Sequence, residues 1–383
     1  MDGLLGSNNN YGTYQVLGNL TVDFDGFTQY TNYRRSLDLS TGVHTTSFES
    51  GGYKVNTTAF CSYPDQVCVW SVSSTGTLPP LNVYLQNLLV AQNLVNVTCE
   101  DNRQVRLKGA TQLGPPEGLK YEAAVRVSDN TISSTTTSCS DGKLKVRSAG
   151  GAGTITVVVG AGSNFDQTKG NSAAAYSFKG VEATTEVNKV VSEAAKKSFQ
   201  VLLDRHIRDF SAIEGRFVLS LPDPLGSKDE ETSSLISQLS ATGPNDPFLD
   251  ALLFDYSRYL LISSSRDNSL PANLQGKWAE DLNPSWSSDY HANINLQMNY
   301  WAADQTGLTE TQGALWNYMR LNWVPRGTET ARLLYNATGW VVHNEMNIFG
   351  HTAMKNSAGW ANCKFTCTPS PSLRAFGNKK GLL

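Results

Sequence analysis

The sequence predicts a multidomain chain, β first and α second, and three observations predict it. Residues 1–180 hold short alternating or β-branched runs, cut by Asp-Gly, Pro-Pro and Gly-rich turns. From Glu182 the apolar period changes: Val187, Val190, Val191, Ala194, Ala195, Phe199, Leu202 and Leu203 fall on one helical stripe. Past Pro247, apolar helical segments alternate with loops rich in tryptophan and asparagine.

Strands are expected at Tyr53–Tyr63, Val67–Val72, Val83–Leu88, Val105–Lys108, Glu122–Val127, Lys143–Arg147 and Thr154–Val159. Many short strands at this spacing suggest a sandwich. Gly150-Gly151-Ala152-Gly153 lies between two of them. It has neither the spacing nor the following helix of a nucleotide site, so it reads as a tight turn. Glu182–Arg205 is expected as one helix, Pro222–Pro247 as a polar connection, and Phe248–Ser263 and Thr311–Tyr335 as two further helices. The resulting division is 1–180, 181–246, 247–361 and a tail at 362–383.

The composition excludes some classes. A formal net charge of −3 with no basic run argues against nucleic acid or an anionic membrane as partner. No apolar run has the length of a transmembrane helix. Cys61 and Cys68 flank Tyr63-Pro64-Asp65-Gln66, a turn with proline in its second place; with Pro64 and Asp65 at the tip, the cysteines face each other within disulfide reach. Cys99 and Cys139 are the natural second pair, with connectivity left open. Asn19, Asn56, Asn96 and Asn336 each open an Asn-x-Thr sequon. Together these favour the secretory route, yet Met1-Asp2-Gly3-Leu4-Leu5 is no signal peptide. His343 and His351 stand eight apart with no third ligand in view, so no metal is expected, nor any cofactor.

The chemistry concentrates in residues 271–304. Trp278, Trp286 and Trp301 stand among the amides of Asn283, Asn293, Asn295, Gln297 and Asn299, with Glu280, Asp281, Asp289 and His291. Amides both donate to and accept from hydroxyls, and flat rings cover the apolar faces of a pyranose. Ile294, Met298 and Trp301 at i, i+4, i+7 predict a helix from near Asn295 to Gly307. On an extended segment entering that helix, Asn293 and Asn295 share a face and aim two amides at one site. A capping role for Asn295, with Asn293 in a turn, is equally open from spacing alone.

Leu-Pro-Ala-Asn-Leu-Gln-Gly-x-Trp, then Asn-Pro-x-Trp-x-x-Asp-Tyr and Asn-Ile-Asn-Leu-Gln-Met-Asn-Tyr-Trp, resemble glycoside hydrolase family 95, the inverting α-L-fucosidases, closest to its secreted fungal members. Residues 14–24 and 339–350 resemble family segments too, so the likeness covers about residues 11–361. It implies a β-supersandwich, a helical linker and the first part of an (α/α)6 toroid. It also implies removal of terminal, α-1,2-linked L-fucose with inversion, from fucosylated oligosaccharides or plant or host glycans, by a protein secreted in its full-length form. The family asparagines map onto Asn293 and Asn295, with Asn295 the one that orients the attacking water. His291 and His343 map to positions that bind sugar hydroxyls, and Trp278 and Trp301 are assigned to substrate binding. The proton-donating glutamate and the aspartate that polarises the asparagine lie C-terminal to the Gly-Trp-Val-x-His segment in the family. Glu280 and Glu345 map to neither, and residues 362–383 do not resemble the helix expected there. On this reading the chain is an inactive fragment of a gene whose last residues derive from an intron. The alternatives are a non-catalytic fucose-glycan-binding remnant, an α-L-galactosidase and, more weakly, a disaccharide phosphorylase.

Overall fold

A computed structural model describes residues 5–6, 16–130, 135–148, 150, 152–239, 245–274, 277–278, 290–292, 294–343, 346–352 and 354–355. The two-residue strand β1 (Leu5–Gly6) comes first. The sandwich strands follow: β2 (Asn19–Phe24), β3 (Thr31–Asp38), β4 (Val43–Ser50), β5 (Tyr53–Ser62), β6 (Val67–Ser74) and β7 (Leu81–Gln86). Next come β8 (Val95–Asp101), β9 (Gln104–Ala110), β10 (Lys120–Val127), β11 (Thr135–Ser140), β12 (Lys143–Ser148) and β13 (Gly153–Ser163). They form an eight-stranded sheet in the order β3-β4-β5-β6-β13-β10-β9-β8 and a four-stranded sheet in the order β11-β12-β7-β2.

Alternation along the strands builds two cores from one sheet. Val55, Val72, Val125, Ile155 and Val157 face the four-stranded sheet and meet Leu81, Val83, Leu144 and Val146. Phe60, Val67, Val69, Ala124 and Val158 face the other way, onto helices α1 (Thr184–Ala195) and α2 (Phe199–Glu214). A strand covered on both faces reads as a continuous apolar run, which is why β10 carries Ala123-Ala124-Val125 and β13 Val157-Val158-Val159 at their middles. Gly160 and Gly162 of β13 let α1 lie close: a Cβ at Gly160 would stand 2.6 Å from Val191 Cγ2.

The linker differs from the single helix expected over 182–205. It breaks after Ala195, and Ser198 caps α2 by accepting from the Val201 amide. The stripe runs across the break because both helices pack on the same sheet face.

Both expected cysteine pairs are disulfides. Cys61–Cys68 closes the β5–β6 hairpin, and Cys99–Cys139 ties β8 to β11, the edge strands of the two sheets. The hairpin loop takes in all of Tyr63–Gln66, with the Gln66 amide bonding the Ser62 carbonyl at 2.8 Å. Asp65 at its tip is buried. Burial pushes its carboxyl up, but bonds from Ser62, Arg205 and Lys197 outweigh that and hold it below the ordinary carboxylate range. Asn19, Asn56, Asn96 and Asn336 are all exposed.

The helical part contains α3 (Thr232–Gln238), inside the expected polar connection, and α4 (Pro247–Ser264). Asp246 caps α4 through the Phe248 amide and Pro247 takes its first position. Next are α5 (Asn295–Asn299), α6 (Gly313–Tyr318) and α7 (Val324–Tyr335). The helix expected to reach Gly307 ends after five residues and gives way to turns. A π turn at Met319–Trp323 joins α6 to α7 within the expected third helix. Last comes β14 (Met354–Lys355), parallel to β1.

The hairpin tip also reaches the helical part. Tyr63 donates to Asp267 and lies under the Arg266 guanidinium, 3.7 Å from the ring centroid; Arg266 also makes a fork of two 3.1 Å bonds to Asp209 of α2. Phe210 and Ile213 of α2 pack with Ile262, Ala303 and Leu308.

Candidate active site

The segment around α5 is held by its own backbone and by a second segment beside it. The Tyr290 amide donates to the Met346 carbonyl at 2.8 Å, setting residues 290–292 against 346–348. Tyr290, Ala292, Leu296, Tyr300, Tyr318, Trp323, Val342, Met346 and Ile348 form the buried core beneath.

The entry to α5 is a strained turn. His291 has φ +50° and Ile294 has φ +80°, left-handed values that a β-branched side chain rarely adopts. Three bonds hold it: Leu296 N to His291 O at 3.1 Å, Gln297 Nε2 to Ala292 O at 2.8 Å, and Met298 N to Ile294 O at 2.8 Å. Ile294 occupies the cap position, so Asn295 does not cap the helix; it is the first helical residue, half-buried. The apolar spacing that predicted the helix faces outward. Ile294, Met298 and Trp301 are 47, 51 and 53% exposed, and Leu296, Gln297 and Tyr300 are the residues turned inward.

Tyr300 links this unit to the preceding loop. Its hydroxyl accepts from the Ala272 amide at 3.0 Å and pairs with Ser265 Oγ at 2.7 Å. In that loop Lys277 is enclosed, with its ammonium on Ser269 Oγ and the Leu270 carbonyl, and burial lowers it to about 8.

The chain is similar to known proteins along most of its length. Residues 198–368 match the glycosyl hydrolase family 95 catalytic domain, and residues 2–168 match the glycosyl hydrolase family 65 N-terminal domain. The chain is 48% identical over 352 residues to "Probable alpha-fucosidase A" of Aspergillus oryzae, covering 91% of this chain and 48% of the relative. The same protein of Aspergillus niger is 48% identical over 360 residues, covering 94% and 44%. "Alpha-L-fucosidase 2" of Arabidopsis thaliana is 34% identical over 378 residues, covering 91% and 43%.

By these matches the chain is similar to glycoside hydrolase family 95.

It spans about half the length of the curated relatives it matches. The family 95 fold expected from its motifs, a sandwich followed by toroid helices, agrees with a solved structure, "Putative kojibiose phosphorylase from human microbiome". The two superpose with TM-score 0.54 at 12% identity, over 89% of this chain and 43% of that one.

The residues assigned from the family motifs stand as follows. Asn295 and His291 lie at the strained turn, with Asn295 half-buried and His291 buried. Asn293 falls between them but outside the described residues, as do Trp286, Glu280 and Glu345. Trp278 and Trp301 are 59 and 53% exposed, open to a partner. His343 is buried, 0% exposed. Its Nδ1 faces the Thr352 carbonyl and so carries the proton; Nε2 accepts from the Tyr335 hydroxyl at 2.7 Å. The structure thus places His343 inside the core, behind Tyr335. His351, two residues after the half-buried Phe349, is neutral: burial, with Arg326 and His343 adding to it, lowers it to about 4. Among the described residues no three His, Cys, Asp or Glu side chains are placed to hold a metal ion. Sequence reading passed over Asn273, Lys277 and Tyr300. All three lie within the quoted motifs, Lys277 at an unspecified place, but nothing in their spacing marks them as buried.

Proposed function

We propose that this chain is the sandwich, linker and first toroid segment of an inverting α-L-fucosidase that removes terminal α-1,2-linked L-fucose from oligosaccharides. The observation that carries the reading is the pair of left-handed residues, His291 and Ile294, bracketing the family asparagine position and delivering Asn295 as the first residue of α5. Strain of this kind persists only where surrounding structure over-determines it, and the Leu296, Gln297 and Met298 bonds do so here.

The chemistry proposed for the site divides among these residues. The Asn295 carbonyl oxygen accepts a hydrogen bond from the attacking water and sets its lone pair toward the anomeric carbon. A neutral amide orients water but does not keep its proton, so a carboxylate bonded to the amide must polarise it and receive that proton as the water attacks, while a separate acid protonates the leaving oxygen. His291 and Asn293 hold sugar hydroxyls, and the open indoles of Trp278 and Trp301 cover apolar sugar faces. His343 contributes to hydroxyl binding once Tyr335 is displaced. Two disulfides and four exposed sequons support secretion of the full-length protein.

The test has two arms. Residues 1–383 are titrated with L-fucose. Residues 1–361, continued by the remaining catalytic segment of the Aspergillus oryzae relative, are given 2′-fucosyllactose and followed by proton NMR. Binding in the first arm, with β-L-fucose as the first-formed anomer in the second, supports the reading. First release of the α-anomer, or release only with inorganic phosphate, contradicts it. Binding without turnover makes the protein a glycan binder instead.

A further inference from the structure

Asn273 sits in the loop that precedes the strained turn and is 5% exposed. Neither its Oδ1 nor its Nδ2 has a hydrogen-bond partner. Among the described residues it is the one buried side-chain amide left open at both ends. Asn164 accepts from the Lys120 amide, Gln297 donates to Ala292, Asn322 donates to Ile348 and Gln312 donates to Asp304. A buried amide without partners costs folding free energy and is rare in native proteins.

Its backbone shows where it lies. The Asn273 carbonyl accepts a long 3.5 Å bond from Asn299 Nδ2, and the neighbouring Ala272 amide donates to the Tyr300 hydroxyl at 3.0 Å. The Tyr300 hydroxyl is itself locked to Ser265, whose Oγ donates to the Thr311 carbonyl at 2.7 Å. The loop is therefore fixed against α5. Asn299 is four residues after Asn295, and on a helix i and i+4 share a face. Asn273 is thus moored on the face of α5 that carries Asn295.

We infer that Asn273 is a further substrate-binding residue of this site, whose amide donates to one sugar hydroxyl and accepts from another. The inference rests on the fucoside reading above and adds a residue to it. An amide with donor and acceptor both open matches vicinal hydroxyls, each of which both donates and accepts. Folding leaves the cost of the unpaired group in place, and sugar binding recovers it.

The experiment uses residues 1–383 and four probes: L-fucose and its 2-, 3- and 4-deoxy analogues, with affinities compared for the native chain, N273A and N273L. The native chain should lose affinity as hydroxyls are removed. N273A should bind L-fucose about tenfold or more weakly and become insensitive to removal of the hydroxyl that Asn273 contacts, while still discriminating at the others. N273L, close to isosteric, should melt at the same temperature as the native chain or above it, because no hydrogen bond is lost and a buried unpaired amide is removed. Unchanged discrimination in N273A, or a lowered melting temperature in N273L together with equal weakening toward all four probes, overturns the role given to Asn273. A native chain that binds none of the sugars overturns the fucoside reading and this role with it.

Discussion

Asn295 gains its place from neighbours that give up favourable backbone geometry. With Ile294 at φ +80° in the cap position, its own amide is not spent on capping the helix. In the chain continued through the remaining catalytic segment, Asn295→Ala should therefore lower kcat for 2′-fucosyllactose by about a hundredfold or more, with KM little changed, as expected when a group that positions the nucleophile is lost. Steady-state kinetics decide it; a raised KM at constant kcat would make Asn295 a binding residue. His351 permits a pH test. Unfolded, it takes up a proton near pH 6.5, but folded only near 4. Between those values protons favour the unfolded chain, so this residue's contribution to stability falls on acidification by at most about 1.4 kcal/mol per pH unit. His351→Gln should flatten the melting-temperature profile between about pH 6.5 and 4; an unchanged slope in the variant would show that His351 is not held neutral. At this scale the sequence was informative where a motif names a residue and silent where burial decides. Nothing in the spacing told that His343 would lie behind Tyr335, or that Asn273 would be buried with its amide unpaired.

Among the elements, the central sheet strands were the most legible. All seven expected strands are present, because β5, β6, β7, β9, β10, β12 and β13 carry apolar residues that pack on at least one face. Strand β3, with seven of its eight residues exposed, leaves no alternation to find, and β8 and β11 are similarly polar. The linker break at Ser198 was hidden because both helices present apolar residues to one sheet, keeping the stripe in phase. The helix at Asn295 was found for a reason the structure does not share: Ile294, Met298 and Trp301 have the right spacing but face outward. The α1–β13 contact allows a direct test. Gly160 stands where a Cβ would meet Val191 Cγ2 at 2.6 Å and Val190 Cγ2 at 3.1 Å. Gly160→Val should lift α1 from the sheet and cost about 1–3 kcal/mol, as overpacking does. Urea unfolding of the variant measures it, and a midpoint equal to that of the native chain would mean that α1 is not seated as described.

Across the whole molecule, a small hairpin ties the sandwich to the linker and to the helical part. The loop closed by Cys61–Cys68 puts Asp65 on Arg205 and Lys197 of the linker, Tyr63 on Asp267 and under Arg266, and Gln66 on Asn268. The sandwich thus braces the helices that carry the site, while α2 packs on the sheet through Leu202 and on the helical part through Phe210. The division into β and α parts was plain from the change of period near Glu182; this docking was not, since it depends on polar side chains some 140 and 200 residues apart in sequence. The outward Trp278, Trp301, Ile294 and Met298 lie on the helical part, and a groove of about 310 Å³ lined by Asn93, Lys108, Tyr121 and Glu182 lies on the sandwich. These are two separate surfaces, and the proposed function puts the sugar on the first. A crystal structure with L-fucose bound tests that choice most directly. The expected result is the sugar beside α5, with ring hydroxyls within about 3.2 Å of the Asn293 amide and the β-anomeric hydroxyl, the oxygen that water supplies, at that distance from Asn295; fucose seated in the sandwich groove, with Asn295 untouched, would contradict the proposed function.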